Sequence, residues 1–243
     1  MIIAQVSDIH ANGGEDALAR FDRVLDWLRP MKPDAVIVSG DLVEDDSAES
    51  YRAVRNRLEG AQAPFFVVPG NADDVPTMRR AFADRFGWGE GDRLNVVGDL
   101  GALRVIGLDV TVEGRGHGDA APVLDWLGKQ LNTGGAPALV FLHQHPFICG
   151  IDNADRNHCF SQEELSLVIG KSRDTVIGIT CGHVHRPLSS RFAGLPASMA
   201  PPVTLANRLS LDGKVPRDVD NRPGLLLHHW HETRLVTHVV AVP

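Results

Sequence analysis

The chain has 243 residues and a mass of 26.4 kDa, which is enough for one large domain and does not require two. Its 43% hydrophobic and 23% charged residues are typical of a globular protein and exclude a disordered chain. The formal net charge of -7 argues against long nucleic acids as partners, since surfaces that bind them are usually basic.

The first third of the chain alternates between predicted strands and predicted helices. Strands are expected at 1–7, 35–38 and 64–68, because each is a short apolar run bounded by turn residues. Apolar residues at helical spacing predict helices over 16–29 and 47–59. A β-α-β-α-β order indicates parallel strands covered by helices, so an α/β fold is expected.

The rest of the chain contains further predicted elements, with no repeat and no evident linker. Strands are expected at 94–98, 103–109, 138–142 and 176–180, and a C-terminal hairpin at 225–230 and 234–241. Helices are expected at 121–131 and 161–170, the second with Ser161 and Glu164 as a capping box. Residues 212–223 are expected to form a flexible loop. We expect a single domain over 1–243.

Three features of the sequence predict the cellular location of the protein. No stretch approaches the roughly 18 apolar residues of a membrane span, so no membrane partner is expected. The N-terminal residues lead directly into the first polar motif, without a basic region or a cleavage site. The cysteines Cys149, Cys159 and Cys181 are an odd number without a Cys-x-x-Cys pair, which fits a reducing compartment. We therefore expect a cytoplasmic location.

Five polar motifs each follow a predicted strand, and together they supply metal-binding side chains. The candidate ligands are Asp8, His10, Asp41, Asn71, His143, His183 and His185. Ligands collected from several strand ends suit α/β folds, whose sites lie at the carboxyl edge of the sheet. Any one motif alone is more often a turn than a ligand, but five in this order favour a metal-dependent hydrolase.

The spacing within the motifs predicts how the ligands are used. Asp8 and His10 are two residues apart, so on an extended segment both side chains face the same metal ion. Asp41 can bridge two ions, because a carboxylate has two oxygens. Two ions about 3.5–4 Å apart can share a hydroxide that attacks phosphorus. Mn, Fe and Zn all suit such ligands, and their identity stays open.

These motifs resemble the calcineurin-like metallophosphoesterase family over residues 1–190. Its D-x-H, G-D, G-N-H-[DE], H and G-H-x-H pattern corresponds to Asp8-x-His10, Gly40-Asp41, Gly70-Asn71-Ala72-Asp73, His143 and Gly182-His183-x-His185. The resemblance implies a four-layer α/β/β/α sandwich of two mixed β-sheets flanked by helices. It assigns one metal to Asp8, His10, Asp41 and His185. It assigns the other to Asp41, Asn71, His143 and His183.

A looser resemblance narrows the expected activity. The stretch after His143 and the pair Pro201-Pro202 are similar to bacterial class III cyclic-nucleotide and glycerophosphodiester phosphodiesterases. The resemblance implies a small phosphodiester substrate, such as a cyclic nucleotide or a glycerophosphodiester, and the formation of homo-oligomers. The predicted activity is that of a dinuclear metal-dependent phosphodiesterase, which hydrolyses the small phosphodiester by attack of a metal-bound hydroxide. The alternatives are a pyrophosphate-bond hydrolase, a nuclease, or a non-catalytic interaction protein on this fold.

One position departs from the family pattern, because Ala72 stands where the family has a His that helps the leaving group depart. Three interpretations of Ala72 are open. The substrate is an activated ester or a pyrophosphate, whose leaving group departs without the His; His117 or His145 replaces the missing His; or the enzyme is weak. We predict catalytic roles for Asp41, Asn71, His145 and His117. Asn12, Asn71 and His145 are predicted to contact the substrate. Asp73 or Asp74 is expected to orient a metal-bound His.

Overall fold

Two β-sheets that contain both parallel and antiparallel strands form the centre of the protein. The computed structural model describes residues 1–133, 135–211, 218–219 and 221–243. Its strands are β1 (Ile2–Val6), β2 (Ala35–Ser39), β3 (Phe65–Val68), β4 (Val96–Asp99), β5 (Arg104–Leu108), β6 (Gly118–Asp119), β7 (Ala138–Leu142), β8 (Cys159–Phe160), β9 (Val176–Cys181), β10 (Leu188–Phe192), β11 (Leu195–Met199), β12 (Ala206–Asn207), β13 (Asp218–Val219), β14 (Gly224–His231) and β15 (Arg234–Ala241).

The first sheet has the strand order β15-β14-β1-β2-β3, and the second has the order β10-β11-β9-β7-β5-β4. Strands β1, β2 and β3 are parallel, as the alternating pattern predicts, and so are β5, β7, β9 and β11. The C-terminal hairpin β14–β15 joins the first sheet antiparallel to β1. Short ladders β6–β8 and β12–β13 lie outside the two large sheets.

Helices cover the outer face of each sheet. They are α1 (Glu15–Leu28), α2 (Ala48–Gly60), α3 (Val75–Phe86), α4 (Leu124–Thr133), α5 (Asp152–Asp155) and α6 (Gln162–Lys171), with 3-10 turns at Arg29–Met31 and Ala121–Val123. One apolar cluster joins α1–α3 to the first sheet, and another joins α4 and α6 to the second. A third cluster, which includes Ile3, Ile37, Leu139 and Phe141, lies between the sheets. The four-layer α/β/β/α sandwich is therefore confirmed.

The alternation of side chains along each strand explains the layers. Ile3 packs between the sheets, and its neighbour Ala4 packs against the helices. Successive side chains of a strand point to opposite faces, so a strand that is apolar throughout is buried on both sides. Because the C-terminal strands lie beside β1 and the inter-sheet cluster is shared, we propose that residues 1–243 form one domain.

Among the longer elements, helix α3 and the hairpin β10–β11 were not predicted from the sequence. Helix α3 begins after Asp74, whose carboxylate caps it by accepting the backbone N–H of Thr77, and Pro76 lies in its first turn. Met78 and Phe82 are four residues apart and are both buried on one helix face. These signals were present, but the acidic pair was assigned to the site. The hairpin β10–β11 was also missed, because its alternating pattern contains few apolar residues.

The predicted capping box at Ser161 is wrong. Ser161 has a left-handed backbone with φ of 55°, and its side chain makes no capping bond to the helix. Its hydroxyl instead donates to Asp119 Oδ1 at 2.7 Å. The reason is tertiary, since the ladder between β6 and β8 brings these two residues together. Within the predicted loop 212–223, residues 212–217 and 220 lie outside the described residues.

A buried group of hydrogen bonds links the two sheets. Gln5 Nε2 donates to Ser39 Oγ at 2.8 Å and to Cys181 O, on the second sheet, at 3.0 Å. Gln5 Oε1 accepts from Thr180 Oγ1 and lies 2.9 Å from His228 Nε2. With Nε2 protonated, His228 Nδ1 accepts a hydrogen bond from the hydroxyl of Thr237. His228 is therefore buried as a neutral ring.

We expect His228 to make the protein sensitive to acid. Burial lowers the pKa of His228 to about 3. In the unfolded chain His228 binds a proton as the pH falls below about 6.5, whereas in the folded protein it does not. The free energy of unfolding is therefore lost as the pH falls from 6.5 towards 3. Between pH 7 and pH 5, wild-type protein should lose about 2 kcal/mol more unfolding free energy than His228→Asn. Urea denaturation at each pH measures this difference.

The exposed His238 on β15 provides a matched control. His238→Asn should follow the wild-type dependence on pH, because the side chain of His238 is exposed to solvent in the folded protein. If the unfolding free energies of the wild type and His228→Asn fall equally between pH 7 and pH 5, the prediction is contradicted.

Candidate metal centre

The five predicted motifs occupy turns at the carboxyl ends of five strands. Asp8 and His10 follow β1, Asp41 follows β2, Asn71 follows β3, His143 follows β7, and His183 and His185 follow β9. Backbone bonds join neighbouring turns, including Asp8 N–H to Gly40 O and Gly182 N–H to His143 O, both at 3.1 Å. The packing of the two sheets therefore brings together turns that are distant in sequence.

The backbone of this region is unusual for residues other than glycine. Positive φ angles occur at Asp8 (55°), His10 (51°), Asp41 (51°), His183 (78°) and His185 (54°). Such conformations cost of order 1 kcal/mol or more each, and they persist where surrounding structure imposes them, often at functional sites. Five such residues among the seven candidates indicate a site that the fold holds in one geometry.

One carboxylate oxygen lies between two groups of histidines. Asp41 Oδ2 is 3.4 Å from His10 Nε2 and 3.2 Å from His143 Nε2. On one side, His10 Nε2 is 3.1 Å from His185 Nε2, which is 3.4 Å from Asp8 Oδ1. On the other side, His143 Nε2 is 3.3 Å from His183 Nδ1. The structure thus brings six of the seven candidates into one connected cluster.

Three of the histidines are held by their second ring nitrogen. His143 Nδ1–H donates to Ser39 O at 2.7 Å, and His185 Nδ1–H donates to Leu205 O at 2.9 Å. His10 Nδ1 bonds to the carboxylate of Glu44. Each bond fixes the ring and leaves Nε2 facing the cluster, which is how proteins orient metal-binding histidines. Neither Glu44 nor the two carbonyls were predicted, and only Glu44 has a signal in the sequence, as an acidic residue three after Asp41.

Burial and mutual attraction set the charges in the cluster. Burial opposes ionisation of Asp41, but His143 and His10 outweigh it and hold the pKa of Asp41 below its usual value. Burial likewise opposes protonation of His143 and His185, yet Asp41 and Asp8 raise each pKa to about 9. Burial and neighbouring His143 lower the pKa of His183 to about 3. The carboxylates are therefore ionised, as metal ligands must be.

Glycines allow the turns to approach one another. A β-carbon at Gly70 would overlap Asp41 Oδ1 and would lie 2.8 Å from His143 Cδ2. A β-carbon at Gly182 would overlap Ser7 Oγ and would lie 2.8 Å from Asp8 Oδ2. A larger residue at either position would displace the cluster, so both glycines are required by close packing.

The remaining candidate near β3 is Asn71, which lies at the rim of a cavity beside the cluster. This cavity has a volume of about 590 Å³ and is also lined by Ala72 and Asp73. The backbone N–H of Ala72 donates to Asp41 Oδ1 at 2.8 Å, which ties the turn after β3 to Asp41. Asn71 is therefore next to the cluster in the chain and is exposed to the cavity.

The expectation that Asp73 or Asp74 orients a histidine is wrong. Asp73 accepts the backbone N–H groups of Leu42, Val43 and Gly70, and the hydroxyl of Tyr51 at 3.0 Å. It therefore joins the turns after β2 and β3. Burial, with Asp41 nearby, raises the pKa of Asp73 to about 6. Asp74 caps α3 instead, because its position before a buried helix decides its partner.

Three other candidates lie at different distances from the cluster. His145 is buried, its ring centroid is 5.8 Å from that of His183, and its Nδ1 has no hydrogen-bond partner among the described residues. His117 stacks on Phe160 at 4.4 Å, and within the described chain no bond joins it to the cluster. Asn12 is exposed near His10, and its side-chain oxygen accepts the N–H of Gly14 at 3.1 Å.

Comparison with known proteins identifies the family. The model of the calcineurin-like phosphoesterases matches residues 1–187, more than three quarters of the chain. The chain belongs to this family. Members of this family are hydrolases that use divalent metals, so the predicted metal-dependent phosphoric ester hydrolase is confirmed at the level of the family.

Proteins named as phosphodiesterases are among the relatives of this chain. A probable glycerophosphodiester phosphodiesterase of Arcobacter nitrofigilis is 32% identical and covers 98% of this chain and 92% of its own length. A cAMP/cGMP dual specificity phosphodiesterase of Mycobacterium tuberculosis is 29% identical over 98% of this chain and 79% of its own. Among solved structures, a dimetal phosphatase from Danio rerio superposes with a TM-score of 0.73 at 14% identity, covering 98% and 95% of the two chains. The predicted resemblance to bacterial class III phosphodiesterases is thereby confirmed.

None of the described helices combines the length and the apolar character that crossing a bilayer requires.

Proposed function

We propose that the protein is a dinuclear metal-dependent phosphodiesterase that hydrolyses small phosphodiesters. The observation that carries the proposal is the position of Asp41 Oδ2, within 3.4 Å of His10 Nε2 and 3.2 Å of His143 Nε2. A carboxylate between two groups of nitrogen ligands is what a bridging ligand requires. The similarity to phosphodiesterases supports the choice of substrate.

The proposed ligand sets divide the cluster at Asp41. Asp8, His10, Asp41 and His185 would hold one ion, and ligand atoms of these four residues lie within 4.8 Å of one another. Asp41, Asn71, His143 and His183 would hold the other. Imidazole nitrogens with carboxylate and amide oxygens fit Mn, Fe or Zn. When bound, two such ions lower the pKa of water and offset charge on the phosphoryl oxygens.

Residues around the ligands hold the reacting groups in place. Asp73 fixes the two turns that carry Asp41 and Asn71, so these side chains keep their spacing. Burial lowers the pKa of His145 to about 4, so its ring is neutral near pH 7. We assign its unpaired Nδ1 to contact with the substrate. Asn12, which lies near His10, and His117, which stacks on Phe160, remain predicted site residues.

The substrate class agrees with the names of the relatives, which act on glycerophosphodiesters and cyclic nucleotides. Ala72, at the cavity rim, favours a second candidate function. Without a side chain that protonates the leaving group, hydrolysis of a pyrophosphate bond is favoured, since phosphate leaves readily. Small phosphodiesters as partners, homo-oligomers and a cytoplasmic location remain predictions.

A comparison of rates tests the proposed activity. Purified protein loaded with Mn²⁺ would be assayed on a bis-aryl phosphodiester, the matching monoester, and 2′,3′- and 3′,5′-cyclic AMP, with and without EDTA. Metal-dependent cleavage of the diester, much faster than that of the monoester, is expected. Equal rates with and without EDTA would refute the proposal. A nucleoside diphosphate ester would be assayed in parallel, and its cleavage alone would select the pyrophosphatase instead.

We expect Glu44 to tune the proposed centre through His10. Glu44→Gln removes the charge that bonds to His10 Nδ1, so the ring is held less firmly and is less basic. Affinity for the metal ion that His10 would help to hold should fall by about 10- to 100-fold. Titration of metal-free protein with Mn²⁺, followed by calorimetry, measures this change.

Glu90→Gln is the matched control, because Glu90 is exposed and makes no hydrogen bond or ion pair with the cluster among the described residues. It should bind Mn²⁺ as the wild type does. Unchanged affinity in Glu44→Gln would show that its carboxylate does not support a metal ligand.

A further inference from the structure

A small cavity beside His183 is lined by basic and amide side chains. Its volume is about 110 Å³, and it is formed by α5 and its flanking residues, the turn after β9 and the end of β12. The polar residues of its lining are Asn153, Asn157, His183, Arg186, Asn207 and Arg208. The cavity therefore adjoins the proposed metal centre through His183.

The charge in this cavity is positive. Among the described residues that line it, two are arginines and none is Asp or Glu. Arg186 uses one N–H to bond Asn207 O at 2.6 Å, which positions the guanidinium and leaves its other donors available. Asn207 Nδ2 in turn donates to Val184 O at 3.3 Å, which holds the wall together. Such a cavity favours an anion that accepts several hydrogen bonds.

The larger cavity, which Asn71 lines, has the opposite charge. It is lined by six carboxylate side chains, those of Asp46, Asp73, Asp74, Asp92, Asp109 and Glu113. Its one guanidinium, that of Arg93, lies 3.7 Å from Asp109 Oδ1 and is paired there. An additional anion is repelled by this acidic cavity and attracted by the basic cavity beside His183. The two cavities therefore define a direction for a charged substrate.

We propose that Arg186 and Arg208 bind a second phosphate group of the substrate. The preferred substrates are then phosphodiesters whose alcohol carries a further phosphate, with the neutral or cationic end in the acidic cavity. Guanidinium groups suit this task because their N–H donors pair with phosphate oxygens in a forked arrangement. This inference rests on the proposed function, whose bond cleavage it leaves unchanged.

A pair of substrates tests the inference. One is the p-nitrophenyl phosphodiester of glycerol, and the other is the same ester with glycerol phosphate as the second alcohol. Wild-type protein with Mn²⁺ should show a KM at least about 10-fold lower for the phosphorylated ester. The double variant Arg186→Gln/Arg208→Gln should raise that KM by about 10-fold or more. Its kcat, and its KM for the unphosphorylated ester, should stay at wild-type values.

Arg191→Gln is the control, because Arg191 is exposed on β10 and its guanidinium bonds to Gly194 O. It should leave both KM values unchanged. Equal KM values for the two esters in the wild type and the double variant would overturn the inference while the proposed function stands. If metal-loaded wild type cleaves neither ester, the proposed function fails. Titration of the metal-free proteins with inorganic phosphate then decides the inference: weaker binding by the double variant supports it, and equal binding refutes it.

Discussion

Asp41→Asn is expected to lower kcat/KM for an aryl phosphodiester by about 10³-fold or more, the scale of the several kcal/mol that metal ions contribute. Asp41 Oδ2 faces both His10 and His143, so its charge serves both halves of the cluster. An amide keeps the size of the side chain and an oxygen that can accept from Ala72 N–H. It loses the negative charge and the second oxygen that a bridging ligand needs.

The measurement for Asp41 combines kinetics with metal content. Steady-state rates on the aryl diester would be paired with elemental analysis of the purified variant, which should retain less than the full metal content. Circular dichroism should show a folded protein, because the two apolar layers and the inter-sheet cluster do not involve this side chain. Asp26→Asn, on the exposed surface of α1, is the control and should keep full activity. Full activity with full metal content in Asp41→Asn would exclude a bridging role.

Ala72→His is expected to raise kcat/KM by about 10²-fold or more for diesters with poor leaving groups, the range that a positioned acid contributes. Aryl diesters should gain little, because their leaving groups depart without a proton. The site has room for the ring, since Ala72 lines the 590 Å³ cavity at the rim of the cluster. The bond from residue 72 to Asp41 comes from the backbone N–H and is kept in the variant.

A plot of rate against the pKa of the leaving group measures this effect. The slope should be steep in the wild type and shallow in Ala72→His. Ala72→Gln is the control for bulk, because it is similar in length but does not donate a proton as an acid. Equal gains in both variants, or no gain in either, would show that proton donation at residue 72 does not limit the reaction. A shallow slope in the wild type would indicate that His145 or His117 already supplies the proton.

The two experiments separate the parts of the site. Asp41 tests whether the cluster is one dinuclear centre, whereas residue 72 tests how the leaving group departs. A loss of activity in Asp41→Asn and a gain in Ala72→His would establish a phosphodiesterase that depends on activated leaving groups.

Local patterns in the sequence predicted most of the fold. Strands such as Ala35–Ser39 and Ala138–Leu142 are almost entirely apolar and are buried in the parallel parts of the sheets. The alternation of strands and helices predicted parallel pairing, and the polar residues after each strand predicted where the cluster lies. These features depend on short stretches of chain, so sequence alone determined them. The four-layer arrangement came from the resemblance to a family.

Only the tertiary structure decided which partners the polar side chains find. Ser161 was expected to cap a helix and bonds Asp119 instead, and Asp73 joins two turns rather than a histidine. His143 is oriented by Ser39 O, 104 residues away, through a carbonyl that every residue carries. Arg186 and Arg208 come beside His183 because of the way the turns after β9 and β12 pack. Contacts of this kind depend on the packing of the two sheets, and no local spacing encodes it.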